Sequence, residues 1–383
     1  MSARPNVVFV SRRYPPSVGG METLARAVHL ALDEYSDTTL VALGRAQHHL
    51  AWFLPYAALR ARRSARPGRA DRIVFGDALV YAMVRPVLPR SAPPCTVMVH
   101  GLDLTFPSRP YRAMVRAALP KADRVVANSH STAAIAREMG VAAERCVVLN
   151  PGVEIPAPWP GTHAEAARQL RQRFAIAAGT PVLVTLGRLV ERKGVAWFVR
   201  DVLPALAGDP VFLVAGKGPL EAAIQEATAA RNLESRVQLL GAVDDDTRAL
   251  LFAGCDAFVM PNIPVAGDVE GFGLVAIEAS NAGALVVAAG LEGIVDAVSH
   301  DTTGYLCAPR DVADWTARLD RVLADPAASR ATAERFTIAS RRRSSFERMA
   351  AELPVALGVT GATGAASSEA GGSGPASQEQ QRP

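Results

Sequence analysis

The sequence predicts an α/β protein of two Rossmann-like domains, with parallel sheets facing a central cleft. Three observations carry this. Short apolar runs alternate with longer amphipathic ones along both halves of the chain, and alternating strand and helix implies parallel sheets with helices on both faces. The 383 residues, 49% of them apolar, suit two cores of ordinary size. A Pro-rich stretch at 154–161 (EIPAPWPG) interrupts the pattern midway, and it can continue neither helix nor sheet.

Taken in order, strands are expected at residues 7–10, 38–43, 72–75, 96–99, 124–127 and 146–149, with helices near 21–32, 111–118 and 132–139 between them. The pattern resumes with strands near 182–186, 211–215, 237–239, 257–260 and 285–288. The first domain is therefore drawn at 1–153, the linker at 154–161 and the second domain at 162–332. Helices over 333–356 are expected to cross back to the first domain. From 357 to 383 the chain turns to Gly, Ala, Ser and Gln. Such a tail buries too little surface to offset its ordering entropy and is expected to be disordered.

Composition narrows the function. The four cysteines, Cys95, Cys146, Cys255 and Cys307, lack metal-ligand spacing and read as buried thiols in a reducing compartment. Met1 to Pro5 runs straight into a strand with no signal peptide, and no apolar run reaches the length of a membrane span. The expected location is cytoplasmic. The net charge of +4 is carried almost wholly by Arg; the lysines are Lys121, Lys193 and Lys217, and two of them fall in candidate phosphate loops.

Glu270 and Glu278 bracket the segment EGFGLVAIE, eight residues apart. At the rise of a helix the carboxylates would stand about 10–12 Å apart, near the span from hexose to ribose in a nucleotide sugar. Gly271 and Gly273 leave backbone N–H groups bare at a helix N-terminus, where a diphosphate would be stabilised. A helix with two surface glutamates would give the same string. The context favours a site: the segment follows a strand and a loop at 262–269, and ligands of open α/β sheets bind beyond strand C-termini.

Four further loops follow strands. Arg188 and Lys193, in GRLVERKG, suit a diphosphate as fork and point charge, although a solvated loop would also carry them. Lys217, in AGKGP, lacks the P-loop spacing and reads first as a tight turn, with a nucleotide nearby as a secondary role. Gly19 and Gly20 permit close backbone approach to a ligand or a plain strand–helix loop; without G-x-G-x-x-G they give no support for nicotinamide or flavin. His100, followed by Gly101 and Asp103, faces the crevice if its strand ends there. Asp244, Asp245 and Asp246 read as an N-cap with first-turn acids, not as a metal site. Trp52, Phe53 and Tyr56 beside Arg60, Arg62, Arg63, Arg66 and Arg69 suit either an anionic membrane surface or a solvated helix. No DNA- or RNA-binding motif accompanies this charge.

Together these segments resemble the retaining family 4 glycosyltransferases of GT-B fold. The resemblance runs from Gly19–Gly20 to the helix near 311–323. It is most specific at Gly187-Arg188 with Lys193-Gly194, and at Glu270-Gly271-Phe272-Gly273 with Glu278. Asn150-Pro151-Gly152-Val153-Glu154 and Gly304-Tyr305-Leu306 with Pro309 and Asp311 add to it. It implies that Arg188 and Lys193 bind the donor diphosphate, Glu278 the ribose and Glu270 the hexose. Backbone groups from Gly271 through Phe272 and Gly273 to Leu274 complete the anion site. Gly19 and Gly20 close over the phosphates, and His100 lies against the sugar. Asp103 and Lys217 are secondary candidates. No metal or other cofactor is implied, since the nucleotide sugar is a substrate.

The implied activity is retaining transfer of a hexose, mannose preferred, from GDP-mannose or a UDP-hexose. The acceptor would be a lipid-linked or saccharide species of cell-envelope glycan or glycolipid synthesis, met at the inner face of the plasma membrane. The sequence departs from the family pattern in the length of the 262–269 loop, in lacking Pro after Gly283, and in Asp296 where Glu is common. A sugar-nucleotide epimerase of the same fold and a non-catalytic nucleotide-sugar-binding scaffold are the alternatives.

Overall fold

The computed structural model describes residues 4–359 apart from 18, 45, 46, 156 and 158. Two parallel sheets of six strands form the frame. The first comprises β1 (Asn6–Ser11), β2 (Asp37–Ala42), β3 (Arg72–Phe75), β4 (Cys95–Val99), β5 (Arg124–Ala127) and β6 (Cys146–Val148), in the order β2-β1-β3-β4-β5-β6. The second comprises β7 (Val182–Leu186), β8 (Val211–Ala215), β9 (Val237–Gly241), β10 (Ala257–Met260), β11 (Val286–Ala289) and β12 (Tyr305–Cys307), in the order β12-β11-β10-β7-β8-β9. The central strands are apolar at nearly every position because helices cover both faces; β4, β8 and β10 are buried at every position. Trp315, Phe198, Phe212 and Phe258 are fully buried against the second sheet, each contributing about 1.5–3 kcal/mol on leaving water.

Strand order places the sites. In each sheet the chain reverses its direction of winding once, between β1 and β3 in the first and between β7 and β10 in the second. A crevice opens beyond the strand C-termini at such a reversal. The loops after β1 and β3, and those after β7 and β10, flank the two crevices.

Two chain crossings join the units. Val153 leads out of the first and pairs in an isolated parallel bridge with Ser345 on the way back. The proline stretch beyond it falls partly outside the described residues, at Pro156 and Pro158. The helix expected to cross back from residue 333 begins earlier, as Pro326–Arg343, and packs on Leu274–Asn281 and Val312–Ala324 of the second unit. The return falls at Ser344–Ser345. Helix Phe346–Leu357 then lays Met349, Leu353 and Leu357 against Leu24, Val28 and Leu32 of helix Gly20–Tyr35. Leu357, assigned by sequence to the tail, is fully buried, and its carbonyl accepts from Thr96 Oγ1 at 2.9 Å. The rest of the expected tail, 360–383, lies outside the described residues.

Candidate active site

The centre of the site is the crevice between β7 and β10. The loop after β7 turns sharply at Gly194, which adopts φ 66° and whose missing Cβ would overlap the Pro261 carbonyl oxygen. Only glycine admits that approach. Arg192 O accepts from Ile263 N at 2.9 Å, so the two loops are stitched together. Lys193 Nζ thereby reaches Glu270 Oε2 at 2.6 Å, with Arg192 Nε at 3.4 Å from the same oxygen. Asn262 Nδ2 donates to it at 2.9 Å, and Arg192 Nη1 forks both oxygens of Asp268 at 3.0 and 3.2 Å. Burial pushes the Glu270 carboxyl up, but the charges of Lys193 and Arg192 and the hydrogen bonds from Lys193 and Asn262 outweigh it. Glu270 is held below the ordinary glutamate range, as an anion.

Helix Leu274–Asn281 starts immediately after this turn, beyond the C-terminal end of β10. Its first-turn N–H groups lack intrahelical partners and form an anion-binding end. Phe272 is buried beneath it. Gly271 meets the first unit: a Cβ there would overlap the carbonyl oxygen of His100. Gly20, at the start of helix Gly20–Tyr35, faces Leu274, whose Cδ1 is 3.1 Å from the place of its absent Cβ. Gly19 lies over the buried carboxylate of Glu22, which Arg13 holds at 3.1 Å. His130, heading helix His130–Glu138, donates its backbone N–H to Asp296 at 3.0 Å. The cleft is closed at these three places.

His100 enters from the end of β4. Its Nε2 donates to the Gly76 carbonyl at 2.8 Å, and its Nδ1 is buried and unpartnered among the described residues. Asp103 is placed differently from a ligand-facing group. It is buried, and its two oxygens accept from His100 N at 2.7 Å and Ala78 N at 3.1 Å. It ties the end of β4 to the start of helix Ala78–Val84. Burial raises its carboxyl, with the neighbouring Asp77 adding to the rise.

Glu278 stands one turn into the Leu274 helix and opens into a cavity of about 430 Å³. Asp245 and Arg248 share that cavity, along with Thr23 and Arg26 of the first unit and Trp159. Arg248 bridges the acids, 3.2 Å from Asp245 Oδ1 and 3.9 Å from Glu278 Oε2. Burial raises the Glu278 carboxyl; Arg248 opposes the rise only in part. Arg188 and Lys217 are exposed and make no ion pair among the described residues. Their loops stack, since Leu189 N donates to Lys217 O at 3.0 Å.

The structure thus gathers Arg188, Lys193, Glu270, Gly271, Phe272, Gly273 and Leu274 around one crevice, with Gly20 and His100 opposite and Glu278 further along. The sequence read Asp245 only as a first-turn acid and did not single out Arg248. Asp244 does cap helix Asp245–Gly254, accepting from Thr247 N at 2.8 Å, and that capping signal hid its neighbour. Arg192 and Asn262, which fix Glu270, are equally silent in sequence: Arg192 is remote from it along the chain, and no motif marks Asn262 in the loop before it.

Two family models tile the chain. One described as Glycosyltransferase Family 4 matches residues 6–155, and one described as Glycosyl transferases group 1 matches residues 180–325. The chain is 28% identical over 361 residues to the GDP-mannose-dependent alpha-(1-6)-phosphatidylinositol monomannoside mannosyltransferase of Mycobacterium tuberculosis, covering 85% of this chain and 92% of that protein. It is 33% identical over 219 residues to the 2-deoxystreptamine glucosyltransferase of Streptomyces kanamyceticus, covering 56% of this chain but only 55% of that protein. Among solved structures, Anabaena HepE in complex with UDP and glucose superposes with a TM-score of 0.72 at 19% identity, over 93% of this chain and all of that one. Sucrose-phosphate synthase of Thermosynechococcus elongatus superposes with a TM-score of 0.73 at 21% identity, over 92% of this chain and 98% of that one.

Proposed function

The chain belongs to the family 4 glycosyltransferases of GT-B fold, and from that premise we propose that it transfers a hexose, mannose in preference, with retention, from a nucleoside-diphosphate sugar to a lipid-linked or saccharide acceptor. The observation that carries this is the pairing of Lys193 with Glu270 at 2.6 Å beside a helix N-terminus, with Arg188 left open and Glu278 facing a nucleoside-sized cavity. Arg188, Lys193 and the N–H groups from Gly271 to Leu274 would hold the diphosphate. Glu278 would accept from the ribose hydroxyls, and Glu270 from the hexose.

The chemistry follows from charge. When the anomeric C–O bond breaks, its electron pair leaves with the phosphate oxygen, and preorganised cations in a closed cleft stabilise that charge. The acceptor oxygen bonds to the anomeric carbon from the face the phosphate leaves, and the departing phosphate oxygen takes its proton. No protein nucleophile is needed. Glu270 suits this scheme as an electrostatic and binding group, since its carboxylate is already engaged by Lys193, Arg192 and Asn262.

Asp245 and Arg248 favour a guanine donor. A carboxylate matches the adjacent N1–H and N2–H donors of guanine, and Arg matches its O6/N7 edge. The imide edge of uracil would instead turn carbonyl oxygens toward Asp245. The GDP-mannose dependence of the mycobacterial relative points the same way.

A lipid-borne acceptor is supported by helix Leu50–Ser64. Trp52, Tyr56 and Leu59 are 83%, 51% and 47% exposed and share one face, with exposed Arg62 and Arg63 beside them. No helix among the described residues is long and apolar enough to cross a membrane, and this face suits attachment to an anionic surface. The reading is tested by a panel of nucleotide sugars, with binding followed by thermal shift and products by mass spectrometry. The anomeric configuration of the product, read by NMR, tests retention.

A further inference from the structure

We propose that Glu292 is a positioning and specificity residue for the transferred sugar, anchoring the Glu270 turn with one carboxylate oxygen and presenting the other to a sugar hydroxyl. This rests on the transfer reading above. Glu292 lies in the loop after β11, beyond the strand's C-terminal end and on the cleft side of the sheet. Its backbone sits at φ 49°, in the left-handed region that a residue with a side chain rarely adopts. Strain of this kind persists only where the surroundings over-determine it, and it collects at functional sites.

The side chain shows what the strained backbone achieves. Glu292 Oε2 accepts the backbone N–H of Glu270 at 2.5 Å, and the neighbouring Gly293 N–H donates to Glu270 O at 3.1 Å. The loop after β11 therefore grips both backbone polar groups of Glu270. The second carboxylate oxygen of Glu292 has no partner among the described residues, and the residue is half-buried, so that oxygen is left uncommitted within the protein. Charges facing it are Glu270, Arg192 and Asp268. Arg192 and Lys193 are already committed to Asp268 and Glu270. Burial beside Glu270 raises the Glu292 carboxyl, and a hydroxyl donor from a ligand would relieve it. A sugar hydroxyl is such a donor; a phosphate oxygen is not. Glu292 is thus suited to the hexose end of the donor and unsuited to the diphosphate.

The test compares the full chain with Glu292→Gly and Glu292→Gln. The Gly variant keeps the left-handed backbone without strain; the Gln variant keeps an acceptor oxygen without the charge. Calorimetry with GDP, GDP-mannose, UDP and UDP-glucose separates the sugar's share of binding from the nucleotide's. Nucleoside diphosphate affinity is expected to fall severalfold less than nucleotide-sugar affinity in both variants. The added affinity from the sugar falls on the order of tenfold in Glu292→Gly and less in Glu292→Gln. The ratio of kcat/KM between hexoses differing at one hydroxyl shrinks in the same order. Equal losses for diphosphate and nucleotide sugar would make Glu292 a structural pin only and overturn the proposal, as would unchanged sugar binding and selectivity in Glu292→Gly. A wild-type chain that binds none of the four ligands would instead overturn the transfer reading itself.

Discussion

Lys193 and Arg188 differ in one respect that sequence does not show: Lys193 is spoken for by Glu270, whereas Arg188 is exposed and unpaired among the described residues. Both substitutions to Ala are expected to lower kcat/KM on the order of 100-fold or more, through loss of charge at the departing diphosphate. Their stabilities should part. Arg188→Ala leaves the melting temperature unchanged. Lys193→Ala removes the shortest contact of a buried carboxylate that Arg192 and Asn262 still engage, a loss of about 1–3 kcal/mol, visible in denaturant unfolding. Glu278 gives a pH-dependent prediction. Its carboxyl is raised in the folded protein, so the folded state binds more protons and stability falls as pH rises through the window above the ordinary glutamate value. Glu278→Gln should therefore melt about 1–2 °C higher at neutral pH, with the gain vanishing below the ordinary glutamate range. Glu278→Ala should weaken donor binding by about 1–3 kcal/mol through lost ribose hydrogen bonds. The sequence singled out Glu270, Glu278, Arg188 and Lys193 because the segments that carry them follow strands. Arg192, Arg248 and Glu292 were not singled out, since each meets a partner remote in sequence; Asn262 and Asp245 have near partners, but no motif marks either pair.

Among elements, the strands were read most closely. Residues 72–75, 124–127, 182–186, 211–215 and 257–260 coincide with β3, β5, β7, β8 and β10, all apolar runs with polar or turn residues at their ends. β12, the three residues Tyr305–Cys307 at a sheet edge, gave no run long enough to read as a strand. The return crossing was placed too early because helix Pro326–Arg343 carries little apolar periodicity: Arg residues alternate with Ala and Ser along much of it. Helix Leu50–Ser64 carries a prediction at this scale. Its outer face joins Trp52, Tyr56 and Leu59 to exposed arginines. The protein is expected to pellet with anionic vesicles at low salt, each well-placed Arg contributing about 1 kcal/mol, and to be released as salt rises. Trp52→Ala with Tyr56→Ala should weaken sedimentation without changing turnover on a soluble acceptor analogue. Equal pelleting with neutral vesicles would contradict the charge argument.

At the scale of the molecule, the two units meet backbone to backbone at Gly271 and His100, and through the side chains of Leu274 and Asp296. Gly271 against His100 leaves no room for a Cβ. Gly271→Ala is therefore expected to hold the cleft open, with a larger radius of gyration in solution scattering and a kcat lowered by on the order of 100-fold, while each unit keeps its own core. A radius equal to that of the wild type would show that the closed arrangement tolerates the methyl group. In the proposed transfer, closure would bring an acceptor held by the first unit to a donor held by the second and exclude water from the departing phosphate. The most direct test of the account is incubation of the full chain with labelled GDP-mannose and UDP-hexoses in the presence of a membrane extract, with label and nucleoside diphosphate followed together. The account predicts label on lipid or glycan in step with release of nucleoside diphosphate, abolished in Arg188→Ala. Isomerised nucleotide sugar, or binding with no release, would contradict it.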